Sequence, residues 1–155
     1  MKVSSVIRKF TVLLALSTLA LTVMNCSKDK DTPEAQIVGT WKISNLFYKE
    51  GSDPEQDLYP LLLLSSPCIS NVTITFKSNG TATSSVPNDC QDDAEDFVGG
   101  VDNATYEVKG DKLILTSSGT AEEVPVSFSG KQMFWTFTET DAGVTTTVRM
   151  GFTKQ

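Results

Sequence analysis

Acidic residues form the densest group of side chains that could do chemistry in this sequence. Five carboxylates lie within eight positions, shortly before Gly99-Gly100: Asp89, Asp92, Asp93, Glu95 and Asp96. Carboxylate oxygens are ligands that Ca²⁺ prefers, so this acidic loop is the candidate cation site. However, the spacing lacks the D-x-D-x-D-G order of an EF-hand loop, and a solvated surface loop is the simpler interpretation. We therefore expect no metal, with these five residues as weak calcium candidates.

Catalysis is poorly supported because the chain contains no histidine. A Ser–His–Asp or Cys–His site is excluded, and the commonest metal ligand is missing. A carboxylate pair could still hydrolyse a glycoside, but the acidic residues fall in predicted turns and loops that would not position them. We expect a protein without enzymatic activity or cofactor. The formal net charge of −6 also argues against nucleic acid as a partner.

The chain begins with a pattern that is typical of a secretory signal peptide. Lys2, Arg8 and Lys9 precede residues 10–24, which contain no acidic residue and are mostly apolar. That stretch is short for a membrane-spanning helix, which needs about 20 apolar residues. It ends at Val23-Met24-Asn25-Cys26, which resembles the lipobox of bacterial lipoproteins.

The lipobox resemblance implies removal of residues 1–25 and lipidation of Cys26. A plain cleaved signal and an N-terminal anchor helix are the alternatives. Residues 26–36 then form a flexible tether, because residues 27–34 are charged, polar and interrupted by proline. Charged residues directly after the cysteine resemble an export signal of Gram-negative lipoproteins. The expected location is the outer membrane of a Gram-negative bacterium, where the protein would either be exposed at the cell surface or face the periplasm. The mature chain would carry a net charge of −9, so membrane contact should come through the lipid alone.

The two remaining cysteines, Cys68 and Cys90, form an even pair in an oxidising compartment, which predicts a disulfide. In the chain-entropy model the closed loop would contribute about 3 kcal/mol to stability. Two free thiols or a metal-binding pair are the alternatives, but neither histidine nor a C-x-x-C spacing accompanies them.

The elements that must position these residues are short strands. From Ile37 onward apolar residues alternate with polar ones, and no helical stripe stands out. The first strand covers residues 37–48 with a change of phase near Asn45, and Asn79-Gly80 predicts a tight hairpin. Eight such strands in an antiparallel meander can close into a small barrel without exposed edges. Between two prolines, the run Leu61–Leu64 predicts a short helix or loop that plugs one end of the barrel.

Several motifs in this order resemble the lipocalin-like domain of bacterial envelope lipoproteins. They are Gly39-Thr40-Trp41, Cys68, Thr73-Ile74-Thr75-Phe76 with Asn79-Gly80, Cys90 and Leu113-Ile114-Leu115. The resemblance covers residues 37–155 and implies an all-β, eight-stranded barrel whose interior binds a small apolar ligand. It also implies that a late arginine, here Arg149, packs over the first-strand Trp41. An exposed, solvated Arg149 is the alternative, because the neighbouring Val148 and Met150 are predicted to point inward.

The predicted inward-facing residues are the ligand-binding candidates: Trp41, Ile43, Phe76, Tyr106, Leu115, Phe128, Met133, Trp135 and Phe137. They could instead fill the barrel completely, since eight-stranded barrels are either packed or hold one small ligand. In that case the protein would be a structural or interaction lipoprotein that presents its loops to an envelope or host protein. Leu61–Leu64 would then form an exposed docking patch. An interior volume above about 300 Å³ would favour ligand binding.

Overall fold

The computed structural model describes residues 32–99 and 101–155, except for the side chain of Asp96. These residues form nine strands: β1 Gly39–Glu50, β2 Gln56–Asp57, β3 Thr73–Phe76, β4 Thr81–Ser85, β5 Ala104–Lys109, β6 Lys112–Ser117, β7 Thr120–Ser129, β8 Gln132–Asp141 and β9 Val144–Lys154. They also form three α-helices: α1 Pro33–Ile37, α2 Tyr59–Ser65 and α3 Gln91–Val98. Short 3₁₀ helices cover Pro67–Asn71 and Asn88–Cys90.

Eight of the strands close into an antiparallel barrel, as the sequence predicted. Each strand from β3 to β9 pairs with the next, and β1 pairs with both β3 and β9. The two-residue strand β2 pairs only with Phe47 and Tyr48 near the end of β1, past the residues of β1 that pair with β3. A bulge lies between Ile43 and Asn45, where the change of phase was predicted. An inserted residue of this kind shifts the following side chains to the opposite face.

The register defines two ends of the barrel. The α1 end holds the start of β1, the end of β9 and the hairpins β3–β4, β5–β6 and β7–β8. The opposite end, here called the α3 end, holds the hairpins β6–β7 and β8–β9 and the segment that carries α3. The apolar core runs between them and contains all nine predicted interior residues. Tyr106, Phe128 and Phe137 are partly buried, and the other six are buried.

Helix α1 replaces the end of the predicted tether. Thr32 is its N-cap, whose side chain accepts a hydrogen bond from the Ala35 amide, and Pro33 begins the helix. Ile37 ends it and is fully buried, so it belongs to the helix rather than to β1. The part of the chain that packs on the barrel therefore starts a few residues before the predicted boundary.

Helix α3 shows that the predicted acidic loop was wrong. Ala94, Phe97, Val98 and Val101 follow the i, i+3, i+4, i+7 spacing of an amphipathic helix face. Ala94, Val98 and Val101 are buried, and Phe97 packs against the core. This apolar stripe was not recognised in the sequence, because carboxylates dominate the segment and favoured the prediction of a solvated loop.

Helix α2 contains the four-leucine run and confirms the prediction of a short helix there. Leu62 and Leu63 pack against the core, whereas Leu61 and Leu64 remain 62% and 82% exposed. The helix thus covers the core with one face and presents two leucines to solvent. None of the helices in the described ranges is long and apolar enough to cross a lipid bilayer.

Candidate functional site

The α1 end of the barrel is sealed around Trp41. Its indole Nε1 donates a buried hydrogen bond of 2.6 Å to the Ile37 carbonyl. Lys154 donates 2.8 Å to the Gln36 carbonyl, and its Nζ lies 5.1 Å from the centre of the Trp41 ring. Gly39 adopts a φ of +139°, and a Cβ placed there would come within 2.7 Å of Lys154 Cε. The positive φ favours glycine as the first residue of the motif, and Trp41 beneath this cover is buried.

Lys154, not Arg149, packs over Trp41, so the predicted Arg149–Trp41 contact was wrong. Trp41 and Lys154 are direct partners across β1 and β9, and directly opposed residues point to the same face. Arg149 lies between the inward-facing Val148 and Met150 and therefore points outward. Its guanidinium lies over Phe47 and binds Glu55 at 3.2 and 2.6 Å.

A partly open cavity of about 120 Å³ lies at the α3 end, and several ligand candidates line it. Tyr106, another candidate, instead lines an open cleft of about 360 Å³ at the α1 end. Side chains of the barrel wall form one part of the surface of the α3-end cavity: Leu115, Val124, Trp135, Phe137 and Met150. Helix α3 and the residues after it supply the rest, namely Phe97, Val98, Gly99 and Val101, with the carboxyl-bearing Glu95 and Glu122 also present. The lining is therefore mixed: most of its side chains are apolar, and polar atoms form about half of its surface.

Three of the nine predicted ligand-binding residues line this cavity: Leu115, Trp135 and Phe137. The other six do not, because they pack with one another or against neighbouring core residues: Trp41, Ile43, Phe76, Tyr106, Phe128 and Met133. The rings of Phe76 and Tyr106, for example, meet edge to face at 5.0 Å. Alternation along the strands found the inward face but could not locate the empty part of the interior.

Trp135 has an unusual polar environment. Its side chain is 2% exposed, and its Nε1 is the one buried side-chain nitrogen or oxygen without a hydrogen-bond partner in the described parts of the chain. Leaving such a donor unpaired costs about 1–3 kcal/mol. Trp41 differs because its indole donates to Ile37. The two tryptophans thus have the same chemistry, but only one has its hydrogen bond satisfied within the protein.

Helix α3 separates the cavity from a larger cleft on the outside. Strands β4 and β5 pair only at Thr81–Thr105 and Ala82–Ala104. Beyond these residues no backbone pairing joins the two strands in the barrel wall. An open cleft of about 690 Å³ lies there, lined by the end of β4 and by both exposed and buried residues of α3. Glu95, Val98 and Gly99 line both spaces. The far part of α3 is therefore a partition between the interior of the barrel and the solvent.

The disulfide between Cys68 and Cys90 is confirmed. It joins the 3₁₀ helix Pro67–Asn71 to the residue that precedes α3, with the two Cα atoms 5.6 Å apart. Cys90 is buried and belongs to the apolar core. The bond therefore fixes the beginning of α3 at its end of the barrel, whereas no covalent link holds the described residues at the other end of the helix.

The calcium candidates do not converge on one point. Asp92, Asp93 and Glu95 are exposed on α3, and their side chains leave the helix in different directions. Asp89 is exposed in the preceding 3₁₀ helix. The side chain of Asp96 lies outside the described residues. Among those described, the only acidic or sulfur ligands that come together are Asp93 and the two bonded cysteines. Asp93 Oδ2 lies 3.8 Å from Cys68 Sγ, which carries no proton in the disulfide, so this is a contact and not a hydrogen bond.

Comparison with known proteins decides the family. The model of the lipocalin-like domain family matches residues 37–135. The chain belongs to the lipocalin-like domain family. The match extends from before β1 to Trp135 in β8, and β9 completes the lipocalin-like barrel beyond it. This type of barrel is typically a binding fold without enzymatic activity. No curated protein and no solved structure gives a significant match.

Proposed function

We propose that this protein is a lipid-anchored envelope protein whose lipocalin-like barrel binds a small apolar ligand without chemical conversion. The cavity beside α3 carries the proposal, because inward-facing apolar side chains of the barrel wall and of the helix line it, together with Glu95 and Glu122. Its 120 Å³ is below the roughly 300 Å³ of common ligand pockets. An engineered apolar cavity of about 150 Å³ nevertheless binds benzene. The expected ligand is accordingly a single ring or a short chain, not a long lipid.

Ligand binding can be tested with benzene as the probe, followed by NMR titration and by native mass spectrometry of the purified protein. Wild-type protein should bind benzene at the cavity. Val124→Phe should abolish binding, because the larger side chain fills the space that Val124 lines. Val126→Leu is the matched control, since Val126 lies on the same strand and inward face but does not line the cavity. Absence of uptake by the wild-type protein would contradict the proposal.

The membrane anchor rests on the sequence before the barrel, and Cys26 lies outside the described residues. The basic start, the apolar stretch and the polar residues after Cys26 support it. We expect Cys26→Ser to lose the acyl mass and to leave the membrane fraction. The double variant Cys68→Ala and Cys90→Ala should stay in that fraction. Cleavage by protease added to intact cells would support the proposed cell-surface location, whereas protection would favour the periplasmic face of the outer membrane.

A second candidate function is docking to another envelope protein or a host protein, and the exposed leucines of α2 favour it. Leu61 and Leu64 are exposed to solvent and are not part of the apolar core, so they form a small apolar patch on the surface. A photo-crosslinker at position 64 should then give one adduct of defined mass in cells, and Leu61→Ser should weaken it. Position 71, where Asn71 is exposed, provides a control site for the crosslinker. Adducts that are equal from both sites would contradict docking through α2.

A further inference from the structure

We propose that the open cleft of about 690 Å³ between the end of β4 and α3, here called the outer cleft, binds an extended basic segment of another protein. The segment adds to the free edge of β4 as a further strand. In this mode of recognition main-chain hydrogen bonds supply affinity, and the alternating side chains supply specificity. The inference goes beyond the proposed function, since it concerns the outer cleft and not the apolar cavity.

The edge of β4 is open where it borders the outer cleft. The Lys77 amide donates to the Thr81 carbonyl at 2.8 Å, so the backbone polar groups of Thr81 are directed toward β3. Successive residues of a strand direct these groups to opposite sides, so those of Ala82 and Ser84 are directed toward β5. Ala82 pairs with Ala104 there, whereas the backbone N–H and C=O of Ser84 have no partner among the described residues.

The ladder between β4 and β5 ends because the chain turns away from β4 just before β5 begins. Asn103 adopts a left-handed φ of +57°, and the Val101 carbonyl accepts a hydrogen bond from the Ala104 amide at 3.2 Å. Asp102 would be the next partner of Ser84 in this register, but it lies in the turn. An added strand would therefore compete with no described strand of this chain.

One exposed side chain covers the next acceptor on the same edge. Gln91 Nε2 donates to the Val86 carbonyl at 3.3 Å, which is longer than most hydrogen bonds of this type. Gln91 is exposed, so water solvates its amide if the contact is lost. A main-chain N–H of an added strand can therefore replace Gln91 at Val86 at low cost.

The charges around the outer cleft determine which segment fits. Asp92, Glu95 and Asp102 line it and are exposed, and its described lining contains no lysine or arginine. These carboxylates attract a basic segment and repel an acidic one. They also disfavour a second copy of this chain as the partner, because pairing two β4 edges would bring two such sets of carboxylates together.

Apolar side chains form another part of the lining. Val86, Ala94 and Val98 contribute them, and Ala94 and Val98 are buried. Side chains of a strand point alternately to opposite faces, so one set of an added segment contacts this apolar part and the other set stays solvated near the carboxylates. A segment that alternates lysine or arginine with a small apolar residue satisfies both requirements.

The test uses the peptide acetyl-Lys-Val-Lys-Val-Lys-amide with residues 26–155 carrying Cys26→Ser, which lack the expected signal peptide and lipid. In an NMR titration the Ser84 amide proton should shift downfield, because it gains a hydrogen bond. The Gly143 amide in the β8–β9 hairpin is the internal control. Affinity should fall as ionic strength rises. The peptide with glutamate in place of lysine should not bind, and equal binding of both peptides would overturn the inference.

Backbone pairing is tested with N-methylated peptides, which require no protein variant. Alternate N–H groups of a strand lie on the same edge, so methylation of both valines blocks one edge of the peptide and methylation of the three lysines blocks the other. One methylated peptide should bind about tenfold more weakly than the other, as for lost hydrogen bonds. Equal affinities of the two would overturn strand addition.

The role of charge is tested with the double variant Asp92→Asn and Glu95→Gln. We expect the affinity for the basic peptide to fall about threefold to tenfold, since exposed ion pairs are weak. Glu139→Gln with Asp141→Asn is the matched control, because both residues are exposed and do not line the outer cleft. Equal losses in the two variants would overturn the assignment. Self-association without peptide, with a shifted Ser84 amide, would assign the edge to a second copy and also overturn it.

Discussion

The guanidinium carbon of Arg149 lies 4.7 Å from the centre of the Phe134 ring, on the outer surface of the barrel. The ring of Phe47 is 4.4 Å away, and the carboxylate of Glu55 accepts two hydrogen bonds from the same guanidinium. Since Glu55 lies in the segment between β1 and β2, this cluster fastens that segment to β9. The arginine therefore stabilises the outside of the barrel instead of closing one end.

We expect Arg149→Lys to lower the free energy of unfolding by about 1 kcal/mol. Lysine cannot form the bidentate hydrogen bonds to Glu55, and its ammonium group stacks less well on aromatic rings than a guanidinium does. The loss stays modest since Arg149 and Glu55 are each about a third exposed. Urea denaturation measures it. Lys112→Met, which breaks the more exposed pair with Glu123, should leave stability nearly unchanged. An equal effect of both variants would contradict a special role for the Arg149 cluster.

Trp41→Phe should destabilise the protein more than Trp135→Phe, although the two substitutions are chemically identical. The first leaves the buried Ile37 carbonyl without its donor, at a cost of about 1–3 kcal/mol. The second removes a donor that has no partner among the described residues. Thermal and urea unfolding of both variants, without added ligand, measure the difference. A larger loss for Trp135→Phe would show that its indole has a partner that the structure does not describe.

Reduction of the Cys68–Cys90 bond should lower stability by about 3 kcal/mol in the chain-entropy model. The local effect should be strongest at α3, whose beginning the bond fixes. Hydrogen exchange of the amides in α3 should accelerate, while amides in the β8–β9 hairpin should change only with global stability. The double variant Cys68→Ala and Cys90→Ala should reproduce both effects without a reductant. Uniform acceleration across all strands would contradict the local role.

Alkaline pH should destabilise the protein through two tyrosines. Burial raises the pKa of Tyr59 and Tyr106 above their ordinary value of 10.0, and each hydroxyl donates to a backbone carbonyl. The unfolded chain releases these protons near pH 10 and the folded chain only at higher pH. The contribution to stability is therefore complete below pH 10 and is lost as pH rises through the folded pKa values.

The measurement is the free energy of unfolding between pH 9 and 12 for wild type and for Tyr59→Phe with Tyr106→Phe. The variant should show a shallower decline. Burial lowers the pKa of Lys154, which makes the folded state more stable as pH approaches 10.5. Lys154, and Lys112 and Tyr48 whose pKa values are raised, are the same in both proteins, so the difference between the two slopes isolates Tyr59 and Tyr106. Identical slopes in both proteins would contradict the assignment.

Much of the barrel could be predicted from side-chain alternation, including the change of phase that the structure shows as the bulge near Asn45. The same reasoning placed Arg149 on the outside, since its neighbours point inward. Its partners could not be predicted, because Glu55 comes from an irregular segment whose path no periodicity describes. The alternation likewise found Leu115, Trp135 and Phe137 as inward residues.

The cavity itself could not be predicted, because it depends on where α3 lies above the barrel. The stripe Ala94, Phe97, Val98 and Val101 was visible in the sequence, but the carboxylates around it were read as a loop. A helix placed one residue further along would bury different side chains and would enclose a different space. Local patterns determine which face is apolar, whereas the space left empty depends on contacts between distant segments.

The pairing of β1 with β9 also governs how the chain must fold. Trp41 pairs with Lys154, and the hydroxyls of Ser44 and Thr153 meet at 3.0 Å across 109 positions. Contacts between such distant segments incur a large loop-closure entropy, which makes folding slow. Until β9 is in place, β1 and β8 keep open edges that can recruit other chains. A chain that ends directly after Met150 should therefore aggregate during folding, even though it retains every residue of the cavity.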